Sequence, residues 1–142
     1  MWLRWALSLT LLWATGCGSA KGKFAPVSGK VTLNGEALAN AFITFTPMGS
    51  SGTDEPPAVS SSKTNAQGEY TLEAKDGVKG ALVGKHKVTI SYIPDYGDAR
   101  RDPKVPRPEG EQVPKKYNTE STLEIDVLPE GNAQADFKLT KP

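Results

Sequence analysis

VSGKVTLNGEALANAFITFTP, residues 27 to 47, is the stretch from which the fold class can be read. Val27, Val31 and Leu33 share one parity, with Gly29 between them, and further on Ala41, Ile43 and Phe45 alternate with Phe42, Thr44 and Thr46. A period of two places one face of a pleated strand against a core and the other toward water. Asn34-Gly35 supplies residues that tolerate positive φ and reverse a chain sharply. The stretch therefore predicts two antiparallel strands joined by a loop somewhat longer than a tight hairpin. Such a pair cannot bury its apolar face alone, so the rest of the chain is expected to cover it.

Working outward, Met48 to Pro57 holds turn-formers and charge and reads as a surface loop. Ala58 to Thr64 reads as a weak polar strand at a sheet edge, where Lys63 discourages stray pairing. Asn65 to Gly68 is a turn, after which Tyr70, Leu72 and Ala74 point in and Glu69, Thr71 and Glu73 point out. The Gly-rich run from Asp76 to Lys85 carries Ala81-Leu82-Val83 and is expected to plug one end of the core. His86, Val88, Ile90 and Tyr92 share the inward parity of the next strand. Ile93 to Lys116 is interrupted by Pro94, Pro103, Pro106, Pro108 and Pro114, so no interior strand is expected there. A loop of that length in a small domain is functional or disordered. Two more alternating runs close the chain, Leu123-Ile125-Val127 and Ala133-Ala135-Phe137-Leu139. About seven short strands, with turn signals between them and no helical periodicity, predict a two-sheet antiparallel sandwich.

The N-terminus reads differently. Residues 1–16 hold one basic residue, Arg4, and the apolar run WALSLTLLWA, half the roughly 20 residues a membrane span needs. That is the pattern of a secretory signal, expected as a helix. It ends in Ala14-Thr15-Gly16-Cys17, which resembles a bacterial lipobox, with small residues before an obligatory cysteine. The resemblance implies a diacylglycerol thioether on Cys17, cleavage before it and acylation of the new amino group, and several acyl chains give stable anchoring. The alternative is ordinary signal cleavage near Ala20. Residues 17–25 read as the lipidated cysteine and a flexible tether, and 26–142 as the sandwich domain. Gly18 stands where Asp would, by the best-known sorting rule, retain a lipoprotein at the inner membrane, so the outer membrane is favoured, with the domain facing the periplasm or the exterior.

The totals exclude some function classes. All three Trp and the single Cys lie at or before residue 17, so the domain has no disulfide and no thiolate chemistry. Without Arg4 the 17 basic residues fall to 16, against 16 acidic ones, and this neutrality argues against a general nucleic-acid binder.

Four segments also carry a family resemblance: GKVTLNGEALANAFITF (29–45), TNAQGEYTL (64–72), GKHKVTI (84–90) and PKKYNTESTL (114–123). In that order they resemble the carboxypeptidase regulatory-like, or transthyretin-like, domain, in the version found in small bacterial lipoproteins. The resemblance spans residues 26 to 140. It implies a Greek-key sandwich of prealbumin type with seven to eight antiparallel strands, non-catalytic and serving as an accessory or binding domain outside the cytoplasm. His86 is a departure, because many members carry an aromatic residue there, often Tyr.

No catalytic set is evident. His86 is the only histidine, lies on the inward parity, and has no metal-ligating or general-base partner along its strand. Intradiol dioxygenases on related sandwiches hold iron with paired Tyr and His, and the transthyretin-like hydrolases need further His and a C-terminal Tyr-Arg-Gly-Ser; neither set is present. Ser50, Ser51 and Ser60 to Ser62 have no base beside them. Asp95, Asp98 and Asp102, with Asp54 and Glu55, offer oxygen atoms for calcium, but Arg100 and Arg101 interrupt the set and favour a self-balancing solvated loop. Lys30 and Asn132 invite comparison with the Lys–Asn isopeptide bonds of adhesin-like sandwiches, but Lys30 has outward parity.

The expectation is thus a non-catalytic envelope lipoprotein that needs no metal or cofactor and binds no nucleic acid. It would contact the membrane through Cys17 and an envelope protein through the 93–116 loop. The candidate contact residues are Tyr92, Tyr96, Arg100, Arg101 and Tyr117. Carbohydrate or peptidoglycan binding through the aromatic residues of that loop is an alternative; an enzyme with an unrecognised site is a second.

Overall fold

The computed structural model describes residues 22–49, 57–92 and 113–142. The signal segment 1–16, Cys17 and most of the tether lie outside these residues, as do the 50–56 segment and most of the long loop. The described residues form eleven strands: β1 Phe24–Ala25, β2 Ser28–Leu33, β3 Glu36–Ala37, β4 Ala41–Pro47, β5 Ser60–Lys63, β6 Glu69–Thr71, β7 Glu73–Ala74, β8 Ala81–Leu82, β9 Gly84–Tyr92, β10 Leu123–Val127 and β11 Phe137–Leu139. Single 3-10 turns lie at Lys75–Gly77 and Lys115–Tyr117.

The architecture is an all-β sandwich. The larger sheet runs β10-β9-β4-β5-β7, antiparallel throughout. In the smaller one β2 is central, with β3 and β6 antiparallel to it and β11 parallel. A short β1–β8 ribbon closes one end. The expected alternation holds along the main strands. Ala41, Ile43 and Phe45 of β4, Val88 and Ile90 of β9, and Val27 and Val31 beside the smaller sheet are buried in one core. Tyr70, Leu72 and Ala74 are buried, with Glu69, Thr71 and Glu73 exposed. Phe45 of β4 meets Phe137 of β11 edge-on across the layers, with ring centroids 6.1 Å apart.

Connectivity departs from the sequence expectation in five places. First, β2 and β4 do not pair. Asn34 (φ 51°) and Gly35 (φ 86°) form a two-residue turn that matches strand twist, so Leu33 lies opposite Glu36 in a tight β2–β3 hairpin. The chain then crosses at Leu38–Asn40 to the other sheet, where β4 pairs with β5 and β9. Buried Thr64 holds that crossing, its hydroxyl donating to the Leu38 carbonyl (2.6 Å) and accepting from the Ala41 amide (2.9 Å).

Second, β5 is not an edge strand; it lies between β4 and the two-residue β7. Its polar composition fits because Ser60 stands directly between Phe45 and Ala74, where a small side chain leaves room for the Phe45 ring. Third, the 69–74 run divides between the sheets, β6 pairing with β2 and β7 with β5. Leu72 is the corner, its amide bonded to the Val27 carbonyl at 2.9 Å and its carbonyl to the Gly80 amide at 2.7 Å.

Fourth, the last strand is shorter than its alternation suggests and runs parallel to β2. From Asn132 to Asp136 the ladder is irregular. The Asp136 carboxylate accepts from the Lys30 amide (2.8 Å), and the Tyr70 hydroxyl donates to the Ala135 carbonyl (2.5 Å). Gly29 has no Cβ where one would run into that same carbonyl. Fifth, both segments expected to be irregular are partly built in. Phe24–Ala25 pairs with β8 instead of extending the tether, and Val113 is buried in the core cluster.

Ile43 and Ile90 face each other in register and are fully buried, whereas Thr44 and Thr89 form the next pair on the outer face. Ile43→Ala or Ile90→Ala should cost roughly 2–5 kcal/mol of stability, and Thr44→Ala or Thr89→Ala much less. Chemical denaturation of the four variants checks this, and equal losses in the two pairs would contradict the register.

Candidate functional site

The sandwich has two poles, defined by the direction of β9. At the pole where β9 begins, Gly84 pairs with Val127, Lys85 accepts a bond from the Met48 amide (2.8 Å), and the Lys23 carbonyl accepts from the Val83 amide (2.8 Å). The N-terminal segment enters the fold here, through β1. At the opposite pole β9 ends at Tyr92, paired with Ala41. The long loop leaves from Tyr92 and its chain re-enters the described body at Val113.

Of the five expected contact residues, Tyr96, Arg100 and Arg101 lie outside the described residues, as do Asp54, Glu55, Asp95, Asp98 and Asp102. The structure brings the other two, Tyr92 and Tyr117, to the loop pole, both half-buried and packed against the core. Tyr117 follows two lysines in a 3-10 turn. Its hydroxyl lies 3.3 Å from the Thr140 Oγ1 and accepts from the Thr140 amide at 3.2 Å. The Lys116 Nζ sits 4.8 Å from the Tyr117 ring centroid and donates to the Thr140 Oγ1 at 3.4 Å. The hydrogen bonds from Thr140, with help from the Lys116 charge, hold the Tyr117 phenol below the ordinary tyrosine range. These contacts tie the end of the long loop to the C-terminal segment. Both rings pack against the core at the base of the loop.

Sequence reasoning missed two polar anchors of this pole. Ser121 is buried, donating to the Val88 carbonyl (2.5 Å) and accepting from the Leu123 amide (3.2 Å). The bond to the residue two positions on is a local Ser motif that could have been read at the strand start. Thr64, which holds the Leu38–Asn40 crossing, gave no such signal.

His86 is buried on the inward face, as its parity predicts, with its ring 5.9 Å from Phe45. Its Nδ1 lies 3.0 Å from the Gly84 carbonyl and must therefore be the protonated nitrogen, which leaves Nε2 a buried lone pair with no hydrogen-bond partner among the described residues. Among the described residues no group of three or more His, Cys, Asp or Glu is arranged to hold a metal. Lys30 is exposed, and the Asn132 side chain is engaged by the Asp126 carbonyl and the Leu128 amide. A shallow polar groove of about 340 Å³ runs along β2 and β6, lined by Lys30, Glu69, Tyr70 and Asp136. Its one phenol is committed to the Ala135 carbonyl and is pushed above the ordinary tyrosine value, first by burial and then by the Asp136 charge.

No family model, curated protein or solved structure matches the chain. Among the described residues no helix is long and apolar enough to cross a membrane.

Burial holds the His86 imidazole below its ordinary value of 6.5, and the Gly84 carbonyl bond opposes this only in part. Between that value and the lowered folded one, the unfolded chain takes up a proton that the folded chain refuses. Stability from this group is therefore complete above about pH 6.5 and declines as the pH falls below it. The melting temperature of His86→Phe should gain on that of the parent as the pH is lowered from about 7 to about 5. Parallel pH profiles would contradict the assignment.

Proposed function

We propose that this chain is a bacterial envelope lipoprotein whose β-sandwich, of carboxypeptidase regulatory-like type, is a non-catalytic binding module. It is held to a membrane through acylated Cys17 and displays the long loop to a protein partner. The observation that supports this reading is polar separation. The N-terminal segment joins the fold beside Val83 and Gly84, and the loop is rooted at Tyr92 and Val113 at the other end of β9. At about 3.3 Å per residue, the nine residues of β9 put some 26 Å between the two. A tether at one end leaves the other directed away from the bilayer, where a partner can reach it. Tyr92, Tyr117 and Lys116 form the ordered base of that display, and Tyr96, Arg100 and Arg101 belong to its recognition segment.

Cys17→Ser should move the protein from the membrane to the soluble fraction, because the acyl chains are the anchor; retention on membranes would count against it. For the loop, replacement of residues 95–112 by a short Gly-Ser link keeps Tyr92, Val113 and the Tyr117–Thr140 contacts. The shorter closure changes the entropy by about 1 kcal/mol or less. Cooperative unfolding should survive with a nearly unchanged midpoint, while capture of an envelope protein from detergent-solubilised membranes should be lost. Intact folding with intact capture would move the site elsewhere on the domain.

A further inference from the structure

Four large apolar side chains are strongly exposed among the described residues: Met48 (44 %), Val59 (37 %), Val78 (43 %) and Leu128 (45 %). Singly, such residues need no explanation. Their placement does. Met48 follows β4 and is bonded through its amide to Lys85, and Leu128 follows β10, next to the Val127–Gly84 pair. Val59 precedes Ser60, the residue opposite Phe45, and the Val78 carbonyl accepts from the Ala74 amide in the row of Ser60. Met48 and Leu128 therefore lie at the pole where β9 begins, whereas Val59 and Val78 lie close to the level of Val88, the middle of β9, toward the other edge of the larger sheet. None of the strongly exposed large apolar residues described lies at the loop pole.

That pole is also where the chain from Cys17 arrives. Five residue steps separate Cys17 from Gly22, the first described residue, and a fully extended chain spans at most about 18 Å over them. Acyl chains on Cys17 would hold this end within that distance of a bilayer. A tether alone does not orient what it holds, and a body on a short leash can rest on any side. Apolar side chains beside the leash break that degeneracy, because turning them toward lipid removes them from water.

We infer that the tether pole is a bilayer-docking surface, with Met48 and Leu128 entering the interfacial region of the lipid and fixing the domain upright. The inference rests on the lipoprotein reading of Cys17. Lys23 and Lys85 are exposed at the same pole, Lys85 within 3.8 Å of the Glu124 carboxylate, and their stems can lie along apolar surface while the charged heads face the headgroups. Glu124, Asp126 and Glu130 are exposed there too, so the pole carries no excess of positive charge and the contact is driven by apolar burial. Docking should therefore persist at high salt.

The chain offers a direct readout. Its three tryptophans all precede Cys17, so the processed protein has none, and any tryptophan introduced reports alone. Met48→Trp and Leu128→Trp place reporters on the docking pole, and Glu120→Trp, at an exposed position of the 113–121 segment, is the control. Each full-length variant is expressed with its signal, purified from membranes and reconstituted into phosphatidylethanolamine–phosphatidylglycerol vesicles whose acyl chains carry bromine. The mass of the N-terminal peptide is measured on the same sample. The expected result is an acylated N-terminus, with blue-shifted emission largely quenched by bromine for Met48→Trp and Leu128→Trp and unquenched emission for Glu120→Trp. Acylated protein in which the two pole reporters are quenched no more than the control would overturn the docking and leave the anchor standing. Blue-shifted pole reporters that bromine does not quench would also overturn it, because protein and not lipid would then cover the pole. An N-terminus without acyl mass would remove both the anchor and the docking.

Discussion

The antiparallel register of β4 on β9 is the constraint on which the rest depends. Seven residue pairs, from Ala41–Tyr92 to Pro47–His86, set Ile43 against Ile90 and Phe45 against Val88 in the middle of the core. Phe45 extends the influence of that register in three directions. It stacks obliquely toward His86 on its own sheet, meets Phe137 edge-on across the layers, and is accommodated by the small Ser60 on β5. A slip of one residue would turn all of these outward, since the side-chain period of a strand is two. The same register fixes the poles, because the N-terminal segment joins the fold at one end of β9 and the long loop leaves from the other.

The two sheets are held in relation by segments that pass between them, each secured by backbone-directed hydrogen bonds. Thr64 binds both sides of the Leu38–Asn40 crossing, and Leu72 bonds to Val27 and Gly80 at the corner between β6 and β7. Near the C-terminus, Tyr70 and Asp136 complete an irregular stretch that would otherwise leave ladder groups unpaired. Buried polar groups in this domain are thus mainly structural. Among the described residues the exceptions are the Ser60 hydroxyl and His86 Nε2, both buried without a hydrogen-bond partner there. They are contributed by different strands, and among the described residues neither belongs to a group of His, Cys, Asp or Glu arranged to hold a metal.

An asymmetric sandwich of this kind suits display. The loop pole is polar and basic at its base, with Lys115, Lys116 and Lys141 exposed around Tyr117. The tether pole bears the exposed apolar side chains of Met48 and Leu128. Whatever contacts the loop meets a segment rooted on a rigid core, and the opposite end has the chemistry of a surface that prefers not to face water. On the proposed reading, separate poles would let an anchor and a recognition loop act without competing for one surface.

By itself the sequence determined the all-β class and the inward or outward sense of nearly every residue in β2, β4, β6, β7 and β9. It did so because period two is local and is written in adjacent residues. It also marked the tight reversal at Asn34-Gly35 and the turn at Asn65–Gly68, where the side chain of Asn65 accepts from the Gln67 and Glu69 amides. Alternation says that a face is inward, but not which sheet the strand joins. Hence β2 and β4 looked like partners and are in different layers, and the 69–74 run looked like one strand and serves both sheets. The parallel placement of β11 and the interior position of polar β5 were likewise decided by long-range packing. The poles were hidden for the same reason. Met48 and Leu128 are isolated apolar residues eighty positions apart in sequence, and only the tertiary structure carries them to one end, because strand direction and register set where each chain segment leaves the sheet.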